Sequence, residues 1–219
     1  MKSCAPRYFG VISTYMKSSA AAKRPYRLGA RALAAEETAR RILEAFKRRI
    51  REDWYDQITL EEIAREADVT VPTIIRRFGS KEKLLEEAWE NLSAGMVARR
   101  AAAPGDIAAI ARAIIDDYEA VGDMVMRSLA QEERFPALKA VTDRGRAYHR
   151  NWIETFFAPQ LEGLAPAVRK QCLDALVAAT DIYVWKLVRR DMGRSVQHVR
   201  GVMLHLIEGA LGARKGEER

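Results

Sequence analysis

A chain of 219 residues is long enough for one large domain or two small ones, and its 48% apolar residues suffice to bury a substantial core. Charged residues make up 31%, and no apolar run approaches the roughly 18 residues a membrane-crossing helix needs. The N-terminus is basic, but its YFGVIST stretch is too short and polar for a secretory core, so the expected location is the cytoplasm, with no membrane partner.

The net charge of +7 is uneven. Residues 1–37 hold Lys2, Arg7, Lys17, Lys23, Arg24, Arg27 and Arg31 against Glu36 and Glu37 alone. A basic excess suits a polyanionic partner, although a solvated basic face has the same composition. Cys4 and Cys172 form no CxxC, so neither a disulfide framework nor a zinc site is indicated. Cys172 is expected to be a small buried hydrophobe.

In chain order, residues 1–33 lack sustained periodicity and read as a disordered basic arm, with Met16 a second candidate start. Order is expected from Ala34. TARRILEAFKRRI places Ile42, Ala45, Phe46 and Ile50 on one helical face. TLEEIAREA follows, with Thr59 and Glu62 in capping-box spacing ahead of Leu60, Ile63, Ala64 and Ala67. Thr70 then caps a very short helix whose first turn accepts Pro72, and Gly79 ends it. Ser80 caps a fourth helix, predicted to reach about Ala103.

Beyond that point every pattern is helical. One stripe runs from Ile107 to Tyr118 and is predicted to stop at Gly122, with a shorter helix over 123–131. Another helix covers about 137–157, and two long amphipathic ones are predicted at 165–190 and 195–213. The expected fold is all-α: a helix-turn-helix domain at 34–85, a larger helical domain at 86–213 and a tail at 214–219.

Residues 60–78 pair a helix with a short second one across a tight turn. Ala64 is small where two helices must cross, Asp68 stands where a left-handed residue is wanted, and Val69 and Ile74 are apolar anchors. On spacing alone this is an αα-corner or a DNA-binding helix-turn-helix.

The stretch ILEAFKRRIREDWYDQITLEEIAREADVTVPTIIRRFGSKEKLL, residues 42–85, resembles the N-terminal DNA-binding domain of the tetracycline-repressor (TetR) family of transcriptional regulators. Thr59, Ile63, Ala64, Ala67, Val69, Thr70, Thr73, Phe78 and Ser80-Lys81-Glu82 fall in register. The resemblance implies a double-stranded, palindromic operator as partner, read by Thr59, Thr70, Val71, Pro72, Thr73, Ile75, Arg76, Arg77 and Lys81. Thr70 and Thr73 offer hydroxyls, Arg76 and Arg77 planar donor forks, and Lys81 a cation at a helix N-terminus. The sequence departs from the family pattern at Arg49 (usually leucine), Trp54 (glycine), Asp68 (glycine), Ile75 (tyrosine) and Arg77 (histidine).

The resemblance further implies a ligand-binding and dimerisation domain after the fourth helix, with a homodimer formed through residues 165–213. A small apolar or amphipathic effector, releasing a repressor from its operator, is the expected mode of control. Met124, Met126, Phe135, Tyr148, His149, Trp152, Phe156, Asp181, Tyr183 and Trp185 are the candidates to line its pocket, or else to fill the core. No cofactor or metal is expected: His149, His198 and His205 lack ligand spacing, and neither a phosphate loop nor a nucleophile motif occurs. An enzyme is therefore disfavoured, and the remaining alternative is a helical interaction module without DNA binding.

Overall fold

The computed structural model describes residues 23–212; most of the basic arm, Cys4 and the tail lie outside them. All regular structure among the described residues is helical. Helix α1 (Lys23–Glu52) begins eleven residues before the predicted onset at Ala34. The expected irregular arm is thus helical over 23–33, where Pro25 sits in the first turn and Arg, Leu and Ala follow, all good helix formers.

From Thr38 the chain forms one compact unit. A 3-10 turn (Tyr55–Gln57) leads into α2 (Leu60–Glu66), α3 (Val71–Phe78) and α4 (Lys81–Arg99). The larger part consists of α5 (Ile107–Gln131), α6 (Pro136–Phe156), the single turn α7 (Ala158–Leu161), α8 (Pro166–Ala179), the short α9 (Ile182–Trp185) and α10 (Val196–Gly212). Residues Lys186–Asp191, between α9 and α10, are π-helical.

Two apolar cores organise these elements. The first gathers Ile42, Phe46, Ile63, Ile74, Leu84 and Ala88 from α1 to α4 and is closed by Met124, Leu138 and Val141 of α5 and α6. The second joins α5, α6, α8 and α10 through Ile114, Ile153, Leu176, Met203 and Ile207, with Trp185 wholly buried among them. Because α5 and α6 contribute to both, the helix-turn-helix is packed against the larger part rather than hung from a linker.

Three expected boundaries are corrected. First, α4 stops at Arg99, short of Ala103. Second, Gly122 does not end a helix; α5 runs straight through it. A Cβ there would lie 2.6 Å from the Trp185 ring, so the glycine is a packing notch and not a cap. Third, the helix predicted at 165–190 is broken after Ala179. The Thr180 hydroxyl bonds back to the Leu176 carbonyl at 2.7 Å, and Asp181 starts a new helix by accepting from the Tyr183 N–H at 2.9 Å. Cys172 is buried, as expected for a small hydrophobe.

Candidate nucleic-acid interface and internal cavity

The helix-turn-helix is built as its sequence requires. Thr59 and Glu62 close a reciprocal capping box at the start of α2, each backbone N–H bonding the other's side chain at 3.2 Å. Asp68 takes φ 52°, the left-handed turn conformation that Asp tolerates better than most residues. Gly79, at φ 86°, ends α3.

Helix α3 is anchored through Ile74 and Phe78, which are buried, and exposes Pro72, Ile75, Arg76 and Arg77. At about 100° per residue, Arg76 lies diametrically opposite the midpoint of the two anchors. Ile75 and Arg77 lie roughly 80° to either side of that midpoint, on the flanks. The Arg77 guanidinium rests 5.1 Å from the Phe78 ring centroid. Thr70 makes no side-chain cap bond; its hydroxyl pairs with that of Thr73 at 3.0 Å, and Val71 and Thr73 are half-buried.

Two expected contact residues are committed inside the protein. The Lys81 ammonium donates to the carbonyls of Tyr55 and Ile58, both at 2.9 Å, and lies 4.2 Å from the Tyr55 ring centroid. Burial lowers its pKa. Lys81 thus ties the 3-10 turn to the first turn of α4 and keeps one N–H free of these two bonds. The Thr59 hydroxyl, besides capping, donates to the Glu62 carboxylate at 3.0 Å. Arg49, standing where the resembling family has leucine, bonds Glu66 and Asp53 and so clasps the end of α1 to α2. Trp54 is partly exposed beside it in sequence.

A cavity of about 350 Å³ lies between α4, α5 and α6 and the α8–α9 junction. Of the ten sequence candidates it is lined by Met124, His149 and Asp181. The others lie elsewhere. Trp185 fills the core and donates to Glu119 at 2.7 Å, Trp152 stacks on Phe156 at 4.4 Å, and Phe135 packs edge-on against Tyr55. Met126 and Tyr148 flank the second core, and Tyr183 is 56% exposed.

The lining that sequence reasoning missed comes from α4, α5 and α6; on α4, Leu85, Trp89, Leu92, Met96 and Arg99, with the capping Arg100, face the cavity. The residues between Leu85 and Arg100 recur at three- and four-residue intervals, the one signal that marks this face. At its polar end Asp117, 1% exposed, accepts from Arg99 Nε at 2.7 Å and from Arg100 Nε at 2.8 Å. Arg100 Nη1 donates to His149 Nδ1 at 3.0 Å, leaving Nε2–H to face the Thr180 hydroxyl at 3.1 Å. The Thr180 proton is already given to Leu176, so the neutral Nε2–H form of His149 satisfies every partner. Burial, and then the Arg100 charge, push the His149 pKa down to about 3.

A short helix braced by its neighbours, with two arginines and a hydroxyl pair outward, defines a helix-turn-helix DNA-binding protein. Residues 42–88 match the family model of bacterial regulatory proteins, tetR family. Two solved structures share the fold. A transcriptional regulator from Rhodococcus sp. Rha1 has 16% identity and a TM-score of 0.63, covering 80% of this chain and 96% of its own. A TetR-family transcriptional regulator from Streptomyces coelicolor has 23% identity and a TM-score of 0.60, covering 81% and 96% respectively. No curated protein matches the chain. Among the described residues no helix is long and apolar enough to cross a membrane.

Proposed function

We propose that this TetR-family regulator is a homodimeric, non-enzymatic repressor, acting in the cytoplasm on a palindromic operator and released from it by a small amphipathic molecule held in the cavity. The observation that carries this reading is the course of α4. Its first turn is capped by Ser80 next to α3 and pinned through Lys81, and its last residue, Arg99, with the capping Arg100, forms the cavity's polar end. One helix, about 28 Å long at 1.5 Å per residue, therefore touches both the DNA-reading unit and any occupant of the cavity. A molecule that fits the cavity better in one position of α4 shifts the spacing of the recognition helices. A coupling of about 1–3 kcal/mol changes operator occupancy roughly 5- to 150-fold.

Within this reading Arg76, Arg77, Thr70, Thr73, Pro72, Val71 and Ile75 meet the duplex, with Arg76 at the centre of the exposed face. Lys81 and Thr59 act chiefly by holding the frame. Titration of a duplex from the region upstream of its own coding sequence, against a scrambled duplex, tests the proposal. Specific DNA is expected to bind at least about a thousandfold more tightly, and deleting the protein to raise transcription from that promoter. Equal affinity for both duplexes would overturn it.

A further inference from the structure

Six charged side chains line the cavity, and four of them are arginines: Arg99, Arg100, Arg146 and Arg150, against Asp117 and Asp181. Most are already paired. Arg146 is held by Glu132 and Asp143, Arg150 by Asp174, and Asp181 caps α9. The exception is at the polar end, where Asp117 alone serves two guanidinium groups. Arg100 spends its remaining donors against His149 and three aromatic rings, with 4% of its side chain exposed. Arg99 bonds Asp117 through Nε only; its two terminal amino groups have no hydrogen-bond partner among the described residues, and 33% of the side chain is exposed. With His149 neutral, Arg99 and Arg100 outnumber their one ion-pair partner, Asp117, and the excess charge is presented on the planar fork of Arg99. Apart from Ser93, Ser128 and Thr142 the uncharged wall is apolar, and its aliphatic and methionine side chains outnumber Trp89 and Tyr118 by twelve to two. Flexible hydrocarbon fills such a wall better than a rigid ring system does.

We infer that the cavity selects an aliphatic carboxylate, its hydrocarbon chain lying along α4 and its carboxylate on the terminal amino groups of Arg99. This rests on the reading of the cavity as an effector site and assigns that effector's chemical class. A carboxylate on a guanidinium fork makes two parallel charge-assisted bonds, which an alcohol of equal length cannot reproduce. Asp117 holds the fork in orientation through Nε and keeps Arg99 from closing onto another acid.

The test uses three ten-carbon probes on the full-length protein, each below its micelle-forming concentration: decanoate, 1-decanol and decyltrimethylammonium. Isothermal titration is expected to show decanoate binding at least about tenfold tighter than decanol, with the cation weakest. In Arg99→Gln the decanoate preference is expected to fall to parity while decanol binding is unchanged. Equal binding of decanoate and decanol by the wild-type protein, or tightest binding of the cation, would overturn the carboxylate assignment and leave the effector cavity standing. A decanoate preference that survives in Arg99→Gln would overturn the role given to Arg99. Absence of binding by all three would overturn the effector cavity as well. The wild-type comparison decides the ligand class even where the variant fails to fold.

Discussion

At the scale of single residues, the two arginines of the recognition helix separate by phase. Arg77 sits on a flank, its guanidinium over Phe78, and an always-charged fork there suits the phosphate backbone at any working pH. If Arg77 holds one phosphate in each protomer of the proposed dimer, Arg77→Ala deletes two phosphate contacts. At about −0.9 per neutralised phosphate, the slope of log K against log salt flattens by roughly 2. Arg76, opposite the buried face, is the one proposed to reach base edges. Arg76→Ala is expected to cost about 1–3 kcal/mol per half-site and to relax preference at one base position. Titrations at several salt concentrations distinguish the two, and an unchanged slope for Arg77→Ala would remove Arg77 from the backbone. His149 makes a second residue-scale prediction. Its pKa falls from 6.5 to about 3 on folding, so the unfolded chain takes up a proton first as pH drops. The stability this represents is present above about pH 6.5 and is lost as pH falls toward 3, amounting to about 2 kcal/mol by pH 5. His149→Gln keeps an acceptor for Arg100 and a donor for Thr180 but does not titrate. Urea midpoints at pH 7 and pH 5 should fall further for the wild-type protein than for the variant; parallel falls would show that His149 titrates normally in the fold.

At the scale of elements, the sharpest test is Gly122. Glycine inside a helix costs roughly 1 kcal/mol against alanine, yet here alanine would drive a Cβ to 2.6 Å from the Trp185 ring. Trp185 has no room to yield, being wholly buried and bonded to Glu119. Gly122→Ala should therefore destabilise by about 1–3 kcal/mol despite its better propensity, read as a lower urea midpoint; a raised midpoint would show that the ring shifts freely. This glycine also shows where sequence reading stopped. Glycine is the commonest residue just past a helix end, and nothing local says that a tryptophan sixty-three positions later fills its place. The break at Thr180 was hidden for the opposite reason, since no Gly or Pro marks it. Lys81 was read from its own helix terminus, whereas its partners, Tyr55 and Ile58, belong to another element. By contrast α2, α3 and their turn were legible almost residue by residue, because capping box, left-handed Asp and closing Gly are local chemistry. The cavity was legible only at Met124, His149 and Asp181. A rule favouring aromatics finds the core, and Trp152 and Trp185 duly lie there, while the cavity wall is mostly aliphatic and shared among α4, α5 and α6.

At the scale of the whole molecule, the proposed dimer accounts for surface that a lone protomer leaves unexplained. Tyr183, Leu187, Met192 and Leu206, all from the C-terminal segments, are between 40% and 56% exposed. Large apolar side chains gathered in one stretch of the chain and left to water are the mark of an interface. Leu206 offers the cleanest probe, because its exposure separates folding from assembly. In a separate protomer an arginine at 206 would reach water at little cost. In a two-fold seam the same substitution brings two guanidinium groups to symmetry-related positions without acids to meet them. Burying such unpaired charge costs on the order of several kcal/mol, and each 1.4 kcal/mol weakens association about tenfold. Leu206→Arg should therefore keep the wild-type helical signal by circular dichroism and sediment as a monomer at micromolar concentration, where the wild-type protein sediments as a dimer. Palindromic DNA requires two recognition helices one helical turn apart, about 34–36 Å, so the variant should also lose most of its preference for operator over scrambled DNA. A wild-type protein that sediments as a monomer would overturn the dimer, and a variant that stays dimeric would place Leu206 outside the interface.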